Sequence, residues 1–269
     1  MPRFSLIRGR YTVRLAETAD DVLQAQRLRY EIFIAQRAVT GLASQGLASQ
    51  GLASQGVTDE AVGIDTDDFD DDCDHVLIEE TKTGSLVCCF RLLPLQSAAD
   101  IGRSYSAQYY ELSALNDFPG PIVEMGRFCI HPDHRNADVL RMAWAAMTRY
   151  VEERGFELLF GCSSFEGNDA DVYSDAFAML KERHLAPKRW LPRPKAPKVF
   201  QFAKLLKLKR PDPKKAMKGM PPLLRGYLSL GGWVSDHAVV DRELNTLHVF
   251  TGLEVKRVPR RKVQLLRQA

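Results

Sequence analysis

Residues 122–130 read IVEMGRFCI, an apolar run interrupted by two charged residues three positions apart. The apolar and β-branched composition predicts a strand. Because side chains alternate between the two faces of a regular strand, Glu124 and Arg127 are expected on opposite faces. They share a face only where a bulge intervenes. The run therefore predicts a strand that carries both a carboxylate and a guanidinium group.

The residues on either side of this strand predict an alternation of strands and helices. Residues 137–154 place Leu140 and Trp144 at helical spacing before Gly155, and residues 157–162 predict a further strand. The other predicted elements are strands at 11–15, 75–80, 85–92 and 247–253 and helices at 20–36 and 171–184. This order predicts a mixed sheet covered by helices.

Charge is unevenly distributed, although the net charge of the 269 residues is only +3. Residues 57–74 hold nine acidic side chains and no basic one, whereas residues 181–225 hold fifteen Lys or Arg and two acidic residues. A basic surface of this kind indicates an acidic partner, which is nucleic acid, anionic lipid or an acidic carrier protein. Aromatic residues are not interleaved with the basic ones as stacking platforms, so nucleic acid is disfavoured.

Composition also limits the cellular setting. A hydrophobic content of 45% is enough for a sizeable core. The sequence has no signal-peptide pattern at its start and no apolar run of about 18 residues, which predicts a cytoplasmic protein. The five cysteines lack the Cys-x-x-Cys or Cys/His spacing of a zinc site, so we expect reduced cysteines and no metal.

Four short motifs follow one another along the chain. They are Arg29-Tyr30-Glu31-Ile32-Phe33, Asp67-Asp68-Phe69-Asp70, Arg91-Leu92-Leu93-Pro94 and Glu124-Met125-Gly126-Arg127. In this order, and with these element types between them, they resemble the motifs of acylhomoserine lactone synthases. Longer stretches, including HPDHRN at 131–136 and GGWVSDHAVVDRELNT at 231–246, are more similar to the ornithine N-acyltransferases of ornithine-lipid synthesis.

The resemblance implies an acetyltransferase-like (GNAT) α/β fold, with a mixed central sheet flanked by helices and a basic helical C-terminal extension. We expect the acyltransferase core at 1–186, a basic Pro/Lys-rich segment at 187–222, and a part at 223–269 that completes the sheet and the substrate site. Three copies of GLASQ occupy 41–55, where a five-residue period matches neither a solenoid nor a heptad. We predict a surface loop there.

The resemblance also implies an activity. It is the transfer of a (3-hydroxy)fatty acyl group from acyl carrier protein to the α-amino group of ornithine, which forms lyso-ornithine lipid. Glutamine or another amino acid as acceptor, and acylhomoserine lactone synthesis, are the alternatives within acyl transfer. The alternative without catalysis is a module that binds anionic membrane or nucleic acid.

The donor prediction rests on an expected loop that the sequence lacks. An acetyl-coenzyme A site of this superfamily has glycines at the start of the helix after the central strand, but residues 135–140 read RNADVL. Without glycines the backbone cannot approach a pyrophosphate closely. We therefore expect no tightly bound cofactor, and an acyl-4′-phosphopantetheine arm presented by acyl carrier protein as co-substrate.

Candidate residues follow from the chemistry and from the motifs. An α-amine is mostly protonated at pH 7, so a carboxylate must accept its proton, and Glu124 is the predicted base. Asp67 and Asp70 are predicted to bind a cationic amino acid. Two interpretations of Arg29 and Arg91 stay open, binding of the substrate carboxylate or attachment of the acidic loop to the body, with the second favoured.

The remaining candidates bind the substrates less directly. Arg127 completes the motif with Glu124, Phe33 is expected in the acyl pocket or the core, and Ser163 and Ser164 are predicted to bond the pantetheine arm. Residues 199–209 predict an interfacial helix on the inner face of the cytoplasmic membrane, with Val199, Phe202 and Leu206 on its apolar face. A helix packed on the core is the alternative. The predicted contacts of carrier protein or membrane are Lys204, Lys207, Lys214 and Lys215.

Overall fold

The computed structural model describes residues 4–35, 58–59 and 63–268, so the GLASQ copies lie outside the described residues. The chain divides into two compact units. The first is drawn from Met1–Leu93 and Met125–Met147, and the second from Pro94–Glu124 and Thr148–Gln268.

The strands of the described chain are β1 Ser5–Arg8, β2 Tyr11–Leu15, β3 Thr58–Asp59, β4 Ile64–Asp65, β5 Asp74–Glu80, β6 Leu86–Leu95, β7 Tyr110–Glu111, β8 Ile122–Ile130, β9 Leu158–Glu166, β10 Arg193–Pro194, β11 Val199–Phe200, β12 Trp233–Val234, β13 Ala238–Asp241 and β14 Thr246–Glu254. The α-helices are α1 Ala19–Tyr30, α2 Ala137–Arg154, α3 Ser174–Arg183, α4 Phe202–Leu205, α5 Pro213–Gly219, α6 Pro222–Ser229 and α7 Arg260–Gln268. A π-helix, Glu31–Ala35, follows α1.

The first unit is a sheet in the order β1-β2-β5-β6-β8, with α1 packed on it. Thr18 is the N-cap of helix α1. Its side chain accepts the N–H of Asp21, while the Asp21 carboxylate accepts the N–H of Thr18. This reciprocal cap satisfies two donors that a helix start leaves unpaired. Leu28 of α1 packs with Leu77 and Cys89 of the sheet. The apolar side chains of α1 therefore pack on the sheet.

The second unit is a mixed sheet in the order β8-β9-β14-β13-β11, in which β8 and β9 are parallel and β9 and β14 are antiparallel. A parallel pair requires a long crossover, and helix α2 lies between β8 and β9 in the chain. One face of this sheet packs against α3 through Phe165, Phe177 and Val249. The opposite face bears Phe160, Cys162 and Phe250, because side chains alternate along β9 and paired residues share a face.

The basic segment is part of the second unit, not an appended extension as the sequence suggested. Strand β11 pairs with β13, and Phe202 is fully buried against Phe177. The predicted interfacial helix at 199–209 is wrong, because only Phe202–Leu205 are α-helical and Val199 belongs to a strand. Its expected apolar face packs into the core, since Phe202 and Leu206 both join the cluster around Phe177.

The strands predicted at 11–15 and 122–130 and the helix predicted at 137–154 are confirmed at those bounds. The helix predicted at 20–36 ends as an α-helix at Tyr30 and continues as the π-helix. Within the described ranges, none of the helices has the length and apolar character of a membrane span.

Candidate functional site

Glu124 is a buried carboxylate whose two oxygens are both held by hydrogen-bond donors. The backbone N–H of Tyr105 donates to Oε2 at 2.8 Å, and the backbone N–H of Ser106 donates to Oε1 at 2.7 Å. The Ser106 hydroxyl donates to Oε1 at 2.5 Å. Three donors stabilise the ionised carboxylate without a neighbouring cation among them. The parallel pairing of β8 with β9 ends at Glu124 and Phe160, so this carboxylate stands at the end of the ladder.

Two further polar side chains face Glu124 in the second unit. Cys162 of β9 lies 3.4 Å from the Ser106 hydroxyl, between Sγ and Oγ. Burial raises the pKa of the Cys162 thiol, and the Glu124 charge raises it further. Burial also raises the pKa of the Tyr227 phenol, followed by the charges of Glu124 and Cys162. At neutral pH, the Cys162 thiol and the Tyr227 phenol are therefore both neutral.

His248 adds a buried imidazole to the face of the sheet that bears Cys162. It pairs in register with Ser164, and its side chain is 3% exposed. The Tyr110 hydroxyl donates to the His248 carbonyl oxygen at 2.8 Å, so Nδ1 is the donor in the 3.1 Å contact with the same hydroxyl. Nε2 is then an acceptor, without a hydrogen-bond partner among the described residues. Burial, followed by the His237 charge, lowers the pKa of His248 to about 3.

The first unit contains a buried network of three arginines and three aspartates. Arg29 of α1 donates to Asp65 through Nε at 2.7 Å and to Asp70 through Nη1 at 2.7 Å. Arg91 of β6 donates to Asp67 through Nη2 at 2.7 Å and to Asp70 through Nη1 at 2.7 Å. The network balances three positive with three negative charges once Arg127 is included.

Arg127 of β8 joins the network at the same aspartates. Its Nε donates to Asp65 and its Nη2 donates to Asp67, both at 3.1 Å. The backbone of Arg127 has φ 51°, in the left-handed region that residues other than glycine rarely adopt. The strand is therefore irregular at Arg127, where the regular alternation of faces ends.

The network matches the second interpretation of Arg29 and Arg91, in which they attach the acidic segment to the body. Burial alone would raise the pKa of the Asp70 carboxyl. Hydrogen bonding and charge from Arg29, followed by the Arg91 charge, lower this pKa below its usual range instead. Asp70 thus remains ionised, and the carboxyl groups of Asp67 and Asp70 are both paired with arginines.

The other predicted residues fall in separate places. Phe33 lies in the π-helix and packs against the cluster of Leu28 and Leu77 in the first unit. Ser163 is buried, where its Oγ accepts the Thr251 hydroxyl at 2.9 Å, whereas Ser164 is exposed. The predicted lysines Lys204, Lys207, Lys214 and Lys215 are all exposed in the second unit.

The start of α2 is occupied by its own side-chain cap. The Asn136 side-chain oxygen accepts the N–H groups of Asp138 and Val139 at 3.0 and 3.1 Å. In a glycine-rich coenzyme loop these donors would face a phosphate. Here these N–H groups already donate to Asn136. Asp138 also places a negative charge in the first turn, where a phosphate would be repelled.

This geometry can now be compared with known proteins. The chain is 35% identical over 244 residues to the L-ornithine N(alpha)-acyltransferase of Rhodobacter capsulatus, covering 89% of this chain and 88% of the relative. The chain belongs to the L-ornithine N(alpha)-acyltransferase family. The Rhizobium meliloti protein of the same name is 28% identical and covers 91% of this chain and 80% of its own length. The chain is therefore an acyltransferase, as the motifs implied.

Two further comparisons are more distant. Residues 52–145 match the family described as an acetyltransferase (GNAT) domain. A solved structure of a CoA-dependent acyl-homoserine lactone synthase, BjaI, is 14% identical, covers 93% of this chain and 82% of its own, and has a TM-score of 0.48. The mixed sheet flanked by helices expected from the sequence is confirmed.

In this member of the L-ornithine N(alpha)-acyltransferase family, four buried or partly buried polar residues of the second unit were not predicted from the sequence. They are Ser106, Cys162, Tyr227 and His248. None of them lies in the four motifs. Ser106 is in a three-residue 3-10 helix, which is too short to produce a periodic sequence pattern. The signal available in the sequence was a polar side chain within an apolar stretch, as for His248 in the strand predicted at 247–253.

We predict that Asp70→Asn will lower the free energy of unfolding by about 3–5 kcal/mol, because it leaves buried guanidinium groups without their counter-charge. Asp68→Asn is the matched control, since Asp68 belongs to the same acidic run and is exposed. Its effect should stay within about 0.5 kcal/mol. Urea unfolding of both variants measures the difference. Equal stabilities would mean that the network contributes nothing beyond solvated charge.

A second prediction concerns pH. The pKa of His248 is about 3 in the folded chain and near 6.5 in an unfolded one. Stability is therefore complete above pH 6.5 and falls between pH 6.5 and 3, where only the unfolded chain binds a proton. Each such histidine contributes a slope of about 1.4 kcal/mol per pH unit.

His248→Asn, whose amide can replace Nδ1 toward Tyr110, should flatten this slope in urea unfolding measured from pH 6.5 to 4.5. A His248→Asn slope equal to that of the unsubstituted chain would show that His248 protonates freely in the folded state.

Proposed function

We propose that this chain transfers a fatty acyl group from the thioester of acyl carrier protein to the α-amino group of ornithine and so forms lyso-ornithine lipid. The observation that carries the proposal is the buried Glu124 carboxylate, held by three donors at the end of the β8–β9 pairing, in a chain 35% identical to an L-ornithine N(alpha)-acyltransferase.

Amide formation from a thioester requires removal of a proton from the amine. The ammonium form of the amino acid loses a proton to Glu124, and its nitrogen then attacks the carbonyl carbon of the thioester. The carbon–sulfur bond breaks as the amide bond is completed, and the pantetheine sulfur departs as a thiolate that takes up the second proton released by the nitrogen. Ser106 positions the carboxylate, because its N–H and its hydroxyl both donate to Oε1.

The neutral groups beside Glu124 suit this reaction. A thiol and a phenol in their protonated forms do not repel the electron density that develops on the carbonyl oxygen. The raised pKa of Cys162 also argues against a covalent acyl-cysteine route, because the thiolate is the reactive form of cysteine. We therefore propose direct attack by the amine.

The proposal of a carrier-protein donor rests on the start of α2. Two of the first N–H groups of this helix already bond to Asn136, and no glycine opens the loop before it. A coenzyme pyrophosphate would need those donors. A carrier protein delivers the same pantetheine arm without a pyrophosphate to be bound, and this favours acyl carrier protein.

For the acceptor site we propose an indirect role for the network. Asp65, Asp67 and Asp70 are paired with arginines, so their charges are balanced before an amino acid arrives. The network would then act by holding the acidic segment in shape, with Arg29, Arg91 and Arg127 as positioning residues.

The test is acylation of ornithine by the purified chain with a 3-hydroxyacyl carrier protein, followed by mass spectrometry. We predict that Glu124→Gln will lower turnover by about 100-fold or more while the folded state persists, since general-base catalysis supplies factors of that order. Glu166→Gln, at an exposed position of β9, is the control and should keep full turnover.

Full turnover by a folded Glu124→Gln variant would remove Glu124 from the reaction. Offering glutamine, lysine and glycine in the same assay identifies the acceptor. Release of methylthioadenosine from S-adenosylmethionine would instead indicate lactone synthesis, and acylation by acyl-coenzyme A at equal efficiency would contradict the carrier-protein donor.

A further inference from the structure

The turn between α4 and α5 exposes large apolar side chains. Leu205 is 65% exposed and Leu208 is 93% exposed, although the intervening Leu206 packs into the core. In the helix that follows, Met217 is 46% exposed. Large apolar side chains exposed together indicate a surface that an apolar phase covers.

The turn is held in shape by the helix beneath it. The Lys209 N–H donates to the Leu206 carbonyl oxygen at 3.0 Å and closes the turn. The Lys181 ammonium group of α3 donates at 2.8, 3.2 and 3.1 Å to the carbonyl oxygens of Leu206, Lys207 and Lys209. Near the start of α3, Asp175 accepts the N–H of Asp212 at 3.0 Å. The exposure of Leu208 is thus a property of an ordered turn.

Basic residues surround these apolar side chains. Residues 204–218 hold seven basic side chains and one acidic one, a net charge of +6. The basic residues are Lys204, Lys207, Lys209, Arg210, Lys214, Lys215 and Lys218. The one acidic residue, Asp212, caps α5 by accepting the N–H groups of Lys214 and Lys215. The apolar tips therefore project from a strongly basic surface.

We propose that residues 204–218 form a site for an anionic lipid bilayer, with Leu205 and Leu208 inserted at the headgroup level and the lysines on the phosphates. The combination of exposed leucines with surrounding lysines favours an anionic bilayer over an acidic protein. An acidic protein would pair with the lysines and leave Leu208 in water, whereas a bilayer offers an apolar layer just below a layer of negative charge. The inference goes beyond the proposed acyl transfer and holds whichever amine is acylated.

The test is flotation of the full chain with vesicles of phosphatidylcholine alone or with about 30 mol% phosphatidylglycerol added, the composition that supplies the negative surface potential. The chain should float with the anionic vesicles only. Leu205→Gln with Leu208→Gln should lower the partition coefficient at least about tenfold, because the inserted apolar surface is lost. Each lysine-to-glutamine change at 204, 207, 214 or 215 should lower it about fivefold.

Ile7→Gln is the matched control, since Ile7 is 68% exposed on β1 and lies outside the basic segment. It should float like the unsubstituted chain. Failure of the unsubstituted chain to bind anionic vesicles, or equal binding by the double leucine variant, would overturn the proposal. A raised Michaelis constant for acyl carrier protein in that variant, with vesicle binding unaltered, would assign the surface to the carrier protein and equally overturn it.

Discussion

The buried pairing of Arg29, Arg91 and Arg127 with Asp65, Asp67 and Asp70 is the constraint on which the first unit depends. Removing a charge from water costs several kcal/mol, and only well-placed opposite charges offset that cost. Because the arginines come from α1, β6 and β8, the offset is complete only when all three elements and the acidic segment are in place. A run of acidic residues that would otherwise be solvated is thereby made part of the fold.

Glu124 is held by a different means, although it lies only three residues from Arg127 in the sequence. Its partners are backbone N–H groups and a hydroxyl from the segment around Ser106. Such donors stabilise the carboxylate without neutralising its charge, whereas a guanidinium partner would cancel it. Glu124, ordered by these neutral donors, is the carboxylate that we propose as proton acceptor, whereas Asp65, Asp67 and Asp70 are paired with arginines.

The basic segment combines two roles within a short stretch. Strand β11, Phe202 and Ala216 complete the core of the second unit, while Leu205 and Leu208 point to solvent between lysines. Helical spacing alone grouped Val199 with Phe202 and Leu206 and so selected the buried side. Because Val199 pairs in a strand and α4 has a single turn, the exposed leucines are Leu205 and Leu208 instead.

The sequence by itself determined the family, the order of the main strands and helices, and Glu124 as the candidate base. These depend on local periodicity and on motifs that lie in single elements, such as 122–130 and 137–154. Tertiary structure decided between the two interpretations of Arg29 and Arg91, and it brought Ser106 onto Glu124 and Cys162 onto Ser106. Those residues are far apart in the chain, and no period or spacing records which side chains long-range packing will bring together.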